Sequence, residues 1–206
     1  MPKMDFKKDL KPLYTASSEE AVLVTVPRLR FLMINGVGDP NTNPEFAAGV
    51  EALYTASYTL KFMLKKTQIL DYAVPPLEGL WWMLMADFAP ERRDDWYWTL
   101  MIPQPEQITR ELLQAAVAAT QKKKTLPALE RLRLESYDEG LAVQILHVGS
   151  YADEAATMAR LHGFIEAQGY HLCGKHHEIY LSDPRRTAPE KLKTILRQPI
   201  SLEATK

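Results

Sequence analysis

One order of elements occurs twice in this chain of 206 residues: strand, loop with glycine, helix, strand, strand. The first copy spans about 21–102 and the second about 132–200. A unit repeated in this way buries its apolar surface by packing against its twin, with helices on one sheet face. The expected fold is therefore α+β. It consists of duplicated strand–helix–strand–strand modules with pseudo-twofold symmetry, whose antiparallel sheet forms a central ligand cleft. Residues 1–20 are polar and rich in lysine and read as a loosely held N-terminal arm. Residues 21–206 read as a single domain, with a connecting helix at 105–124 between the modules. A 46% hydrophobic composition suffices for its core.

Local signals place the elements. Ala21 to Gly36 is β-rich and interrupted by Pro27, as in a bent, bulged or edge strand. Asn43, Pro44 and Glu45 open a helix as cap, first residue and first-turn acid. Phe46, Val50, Leu53, Ser57, Leu60 and Leu64 form its inward stripe, and it runs to about Lys66. Glu78–Met85 and Asp95–Ile102 read as a hairpin around a charged turn. The connecting helix carries Ile108, Leu112, Ala115 and Ala119 on one stripe. In the second copy, Gly140–Val148 is a strand. Ser150 and Asp153 are spaced as a capping box. Met158, Leu161 and Ile165 face inward, and Gly169 stops the helix. A strand through His177–Leu181 and a last strand over 194–200 complete the unit.

Charge and motifs exclude several function classes. Lys plus Arg number 25 against 26 for Asp plus Glu, a net charge of -1. With no basic stripe, nucleic acid is not an expected partner. Lys122–Lys124 fits a helix C-terminus. No apolar run is long enough to span a bilayer, and Cys173 stands alone, so a soluble cytoplasmic protein is expected. Phosphate loops, paired cysteines and H-E-x-x-H are absent. His147, His171, His176 and His177 lack the acids or cysteines that a metal site needs. No metal or cofactor is expected.

The candidate site starts from Glu178. In a strand, Glu178, Tyr180 and Ser182 share one face, while Ile179 and Leu181 suit a core on the other. Glu78 opens the corresponding strand of the first copy, with Leu80 and Trp82 on its face. On a pseudo-twofold axis, Glu78 and Glu178 would be equivalent and would converge. Trp96 and Trp98 offer flat surfaces for a planar or cationic ligand. A carboxylate in an apolar pocket titrates high and serves as general acid or base. The bland alternatives are a paired structural carboxylate, core tryptophans and a buried tyrosine.

Three segments carry a resemblance: Pro76–Trp82, Val143–Tyr151 and His176–Pro184. Through them the sequence resembles the GyrI-like small-molecule-binding family, over nearly all of 21–200. The resemblance implies the duplicated fold, an aromatic small-molecule ligand, and a pocket glutamate at Glu178. With no helix-turn-helix-like extension, the stand-alone form is expected. Leu77–Trp82 and His177–Tyr180 are closer to one stand-alone branch, which hydrolyses cyclopropane-bearing DNA-alkylating natural products. That branch implies Glu78, Glu178 and Tyr180 as active-site residues and Trp82 as a pocket wall. Trp96, Trp98 and Tyr151 join the ligand-binding set. Toxin resistance is the implied role. The alternatives are a non-catalytic binder or sensor of aromatic or cationic compounds, and an inhibitor of gyrase-like partners.

Overall fold

The structure is a computed structural model that describes residues 1–84 and 92–202. In chain order the strands are β1 (Lys3–Met4), β2 (Val22–Val26), β3 (Leu29–Val37), β4 (Asp71–Tyr72), β5 (Glu78–Trp82) and β6 (Tyr97–Pro103). They continue as β7 (Arg133–Tyr137), β8 (Gly140–Val148), β9 (His171–Leu172), β10 (His176–Tyr180) and β11 (Lys193–Ser201). The α-helices are α1 (Phe6–Asp9), α2 (Pro44–Lys66), α3 (Arg110–Gln121) and α4 (Glu154–Ala167). The fold is α+β, and the chain divides into two compact units. One holds Met1–Asp9 and Leu29–Tyr137, the other Leu10–Arg28 and the residues from Asp138 onward.

In the first unit the antiparallel order is β7-β3-β6-β5. In the second it is β2-β8-β11-β10. Thus β2 of the second unit directly precedes β3 of the first in the chain, and β7 of the first directly precedes β8 of the second. This corrects the expected module boundaries. Ala21 to Gly36 is not one bent strand of the first module. It breaks at Pro27-Arg28, where the chain leaves the second unit for the first. Proline lacks the N–H that a continuous ladder needs. Similarly β7, expected in the second module, pairs with β3.

The pairing registers of the two units match. Ile34 lies opposite Leu100, which lies opposite Gly79. Ile145 lies opposite Leu196, which lies opposite Glu178. Pro103 faces Phe31 as Pro199 faces Ala142.

In the first unit, α2 covers the face that holds Ile34, Leu100, Trp81 and Trp98. Phe46 stacks on Trp81 and meets Trp98 edge-on, with centroids 6.0 and 5.2 Å apart. Trp98 lies so close over Gly36 that a Cβ there would sit 2.0 Å from its ring. The expected cap forms: the Asn43 side chain accepts from the Glu45 N–H. The second unit packs Leu161 and Ile165 of α4 onto Val143, Ile145 and Leu196. Ser150 does not cap this helix through the backbone. Its hydroxyl donates to the Asp153 carboxylate, a single 3-10 turn intervenes, and α4 begins at Glu154. In α3, which starts after the Thr109 cap, Leu113, Ala116 and Thr120 are buried. The expected stripe is rotated by about one residue.

The N-terminal arm is not loosely held. Residues Lys3–Met4 pair with β4, and Phe6, Leu13 and Tyr14 are buried. Arg197 donates to the Leu13 carbonyl, and Gln144 to those of Pro12 and Thr15. These buried side chains need acceptors, and the arm's backbone supplies them. The expected charged turn between β5 and β6 falls largely outside the described residues.

Candidate functional site

Glu178 sits at the centre of strand β10. Since it lies opposite Leu196, it shares the face of the sheet on which α4 packs. That face brings in residues from three elements. From β10 come His176, Glu178 and Tyr180. From the start of α4 comes Glu154. From β11 comes Thr194, opposite Tyr180.

The Tyr180 hydroxyl donates to Glu178 Oε2 at 2.8 Å. His176 Nε2 stands 3.5 Å from Glu178 Oε1, and the two side chains are only 10% and 15% exposed. Tyr151 meets the Tyr180 ring edge-on, centroids 5.9 Å apart. Tyr180 is thus oriented toward the carboxylate by its own hydrogen bond and by an aromatic neighbour.

Glu154 is the residue that sequence reasoning missed. Burial pushes its carboxyl up to about 9, and the Glu178 charge adds to the rise, while a hydrogen bond with Thr194 opposes it. A helix N-terminus would favour the anion, so here desolvation and like charge win over the dipole. At neutral pH Glu154 holds its proton beside a second carboxylate. The available signal was an acid in the first turn of α4, on the helix that covers the Glu178 face. His162, also missed, follows the inward residues Met158 and Leu161. Burial and the neighbouring His176 hold its imidazole below the usual range.

The first unit places its candidates differently. Glu78 opens β5 opposite Met101 and is 2% exposed. Its face, with Leu80, Met33, Met101 and Phe31, is the one turned away from α2. By register, Gly79 occupies the place that Glu178 holds in the second unit, and Glu78 occupies that of His177. The expected equivalence of Glu78 and Glu178 is therefore off by one residue. A one-residue offset puts a side chain on the opposite face of a sheet.

The tryptophans divide likewise. Trp98 is fully buried beneath α2, with its indole N–H donating to the Gly38 carbonyl, and is a core residue. Trp96 is half-buried, edge-on to Trp81 and covered by the Arg93 guanidinium. Trp82 stacks with Tyr97, centroids 5.8 Å apart. The pair lines a concavity of about 390 Å³ with Asn35, Gly36, Val37, Glu45 and Arg131. Glu45 and Arg131 pair within it at 3.0 Å. Among the described residues, no three His, Cys, Asp or Glu side chains group closely enough to hold a metal ion. No described helix is long and apolar enough to cross a membrane.

Residues 20–201 match the GyrI-like small molecule binding domain. The chain belongs to the GyrI-like family. Two solved structures from Listeria innocua, each 40% identical, resemble this GyrI-like chain along its length. One, an uncharacterized conserved protein, has a TM-score of 0.90, with 96% of this chain and 100% of that chain covered. The other, described as a hydrolase, has a TM-score of 0.87, with 97% and 100% covered. The C-terminal domain of EcmrR, at 12% identity and a TM-score of 0.54 over 88% and 97%, shares the fold. No curated protein matches the chain.

Proposed function

We propose that this GyrI-like protein is a hydrolase that opens the strained ring of cyclopropane-bearing DNA-alkylating compounds, and so confers resistance to them. The observation that carries the reading is the pair Glu154 and Glu178. Burial and mutual charge hold a proton on Glu154, while Glu178 accepts from Tyr180. A buried acid that keeps its proton beside a carboxylate accepting a hydrogen bond can supply an acid and a base at one site. Listeria innocua relatives described as hydrolases support the reaction class.

In the reaction, Glu178 takes a proton from water as its oxygen attacks a ring carbon. The ring C–C bond breaks, and its electron pair passes into the conjugated carbonyl. Glu154 gives its proton to that oxygen. Water adds across one bond and no redox partner is needed. Tyr180 holds Glu178 in line by its hydrogen bond. In this reading Tyr151, edge-on to Tyr180, contacts the aromatic body of the compound. Glu78, buried on the face of its own unit turned away from α2, takes no step in this reaction. The cytoplasm, where such a compound would meet DNA, is the proposed compartment.

The test is incubation with an excess of a cyclopropane-bearing conjugated-carbonyl compound. Product beyond one equivalent, abolished by Glu178→Gln, supports hydrolysis. Saturation at one equivalent would instead mark a binder that sequesters or senses the compound. Wild-type turnover in Glu178→Gln would sink the mechanism.

A further inference from the structure

Among the described residues, three buried side-chain polar atoms have no hydrogen-bond partner: Glu154 Oε1, His162 Nε2 and His176 Nδ1. An unpaired buried polar atom costs about 1–3 kcal/mol. Folded proteins therefore satisfy such atoms, often with a water that has two to four polar partners. All three atoms belong to groups in electrical contact with Glu178 or its neighbour. His176 reaches Glu178 through its other nitrogen at 3.5 Å. Glu154 senses the Glu178 charge, and His162 senses His176.

We infer that Glu178 exchanges its proton with solvent through His176 and His162, by way of ordered water held at the orphaned nitrogens. The inference rests on the hydrolase reading for its catalytic use, although the proton path itself does not require turnover. The balance is simple. Glu178, having taken a proton from the attacking water, passes it to His176 Nε2. The proton on His176 Nδ1 then leaves to the water, and onward to His162. A tautomer reset returns His176 to its first state. Glu154, which has given its proton to the substrate oxygen, regains one at its orphaned Oε1 from solvent, which supplies one proton for the one released over His162, so the cycle closes.

The groups facing His176 and Glu178 within this unit are Glu154 and His162 on α4, Tyr180 on β10 and Thr194 on β11. His147 on β8 is engaged elsewhere, by Thr157 and the Ser150 carbonyl. His162 is half-buried on the covering helix, so the path ends toward the surface. His176 and His162 act through Glu178 and are positioning residues.

Two experiments test the path. Imidazole ¹⁵N NMR of the full chain follows the titration and tautomer of His176 in wild type, Glu178→Gln and His162→Gln. Coupled movement of the His176 signals in both variants is expected. No movement in either overturns the path, whether or not the protein turns over substrate. The second is kinetic. His176→Gln keeps a polar atom near Glu178 but cannot conduct a proton. A positioned acid or base contributes ~10²–10⁴-fold, and losing only its proton exchange should lower kcat about 10-fold. KM should stay unchanged, and added imidazole should restore part of the rate. An unchanged kcat overturns the catalytic use of the path. A lowered kcat without imidazole rescue assigns His176 to packing and overturns it as well. Coupled NMR signals with no wild-type turnover would support the proton path and remove the hydrolase reading.

Discussion

The two units put the same register to opposite uses. Beneath α2, the first unit aligns Gly36, Trp98 and Trp81 in one row and Ile34, Leu100 and Gly79 in the next. Beneath α4, the second unit has His147, Thr194 and Tyr180, then Ile145, Leu196 and Glu178. Where one unit packs two indoles against Phe46, one stacked and one edge-on, the other sets a tyrosine, a threonine and two acids. The opposite faces differ as strongly. Met33, Met101 and Glu78 stand where the second unit has Gln144, Arg197 and His177. A matched backbone therefore leaves chemistry to a few side chains, and one helix-covered face can be a plug or a proton-handling cluster.

The largest expected effect tests that contrast directly. Glu178→Gln keeps shape and loses the base, so kcat should fall ~10²–10⁴-fold. Trp81→Phe, at the place of Tyr180 in the other unit, should leave kcat intact and lower Tm. Steady-state kinetics and thermal melts on both variants check this. Equal loss of kcat in both would erase the division of labour between the units.

Next in size is Trp98. Removing a fully buried tryptophan costs about 3–5 kcal/mol through lost burial and the cavity left behind. Trp98→Ala should lower the denaturant midpoint strongly, while the folded fraction keeps its ligand affinity. Loss of affinity at full folding would instead return Trp98 to the ligand-binding set.

Glu154 supplies a smaller, pH-dependent effect. Its folded pKa, about 9, lies above the ordinary carboxyl value of 4.5. Between these values the folded chain holds a proton that the unfolded chain has released. Stability is then fully present below the lower value and declines as pH rises toward the upper one. Glu154→Gln should flatten that decline, visible as a Tm that no longer falls between pH 5 and pH 9. A slope that persists unchanged would place the proton elsewhere.

These tests turn on residues that the sequence revealed unevenly. Helix α2 was legible because Asn43, Pro44 and a stripe from Leu53 to Leu64 act locally. The β5–β6 pairing was legible because its strands are adjacent in the chain and strongly β-forming. Glu178 and Tyr180 were legible as a pair, since the pleat puts alternate residues on one face. The exchange of β2 and β7 was not, because strand partners are set by long-range pairing that Pro27 only hints at. Glu78 looked like the twin of Glu178 because each begins a similar motif. Register decides by single residues, and an offset of one places Glu78 away from the covering helix. Glu154 was hidden for another reason. A first-turn acid normally reads as helix capping, and only tertiary burial makes it hold a proton.

The smallest effect concerns the face behind Glu178. There His177 pairs with Glu139 at 2.8 Å, and Arg197 reaches the same carboxylate at 3.2 Å. Burial alone would raise the Glu139 carboxyl, but the His177 and Arg197 charges outweigh it and hold it below the usual range. A depressed acid stabilises the fold above its unfolded pKa, and that contribution is lost as pH falls through the folded one. The same Arg197 grips Leu13, so acid should loosen the arm first. Glu139→Gln keeps hydrogen bonding but removes the charge between two cations. It should cost about 1–3 kcal/mol and expose residues 10–20 to limited proteolysis at neutral pH, as acid does in wild type. The first unit has methionines in place of Gln144 and Arg197, so its β3–β6 amides should keep their hydrogen-exchange protection. Parallel loss of protection in both units would show that the charge network stabilises the whole chain and not the arm.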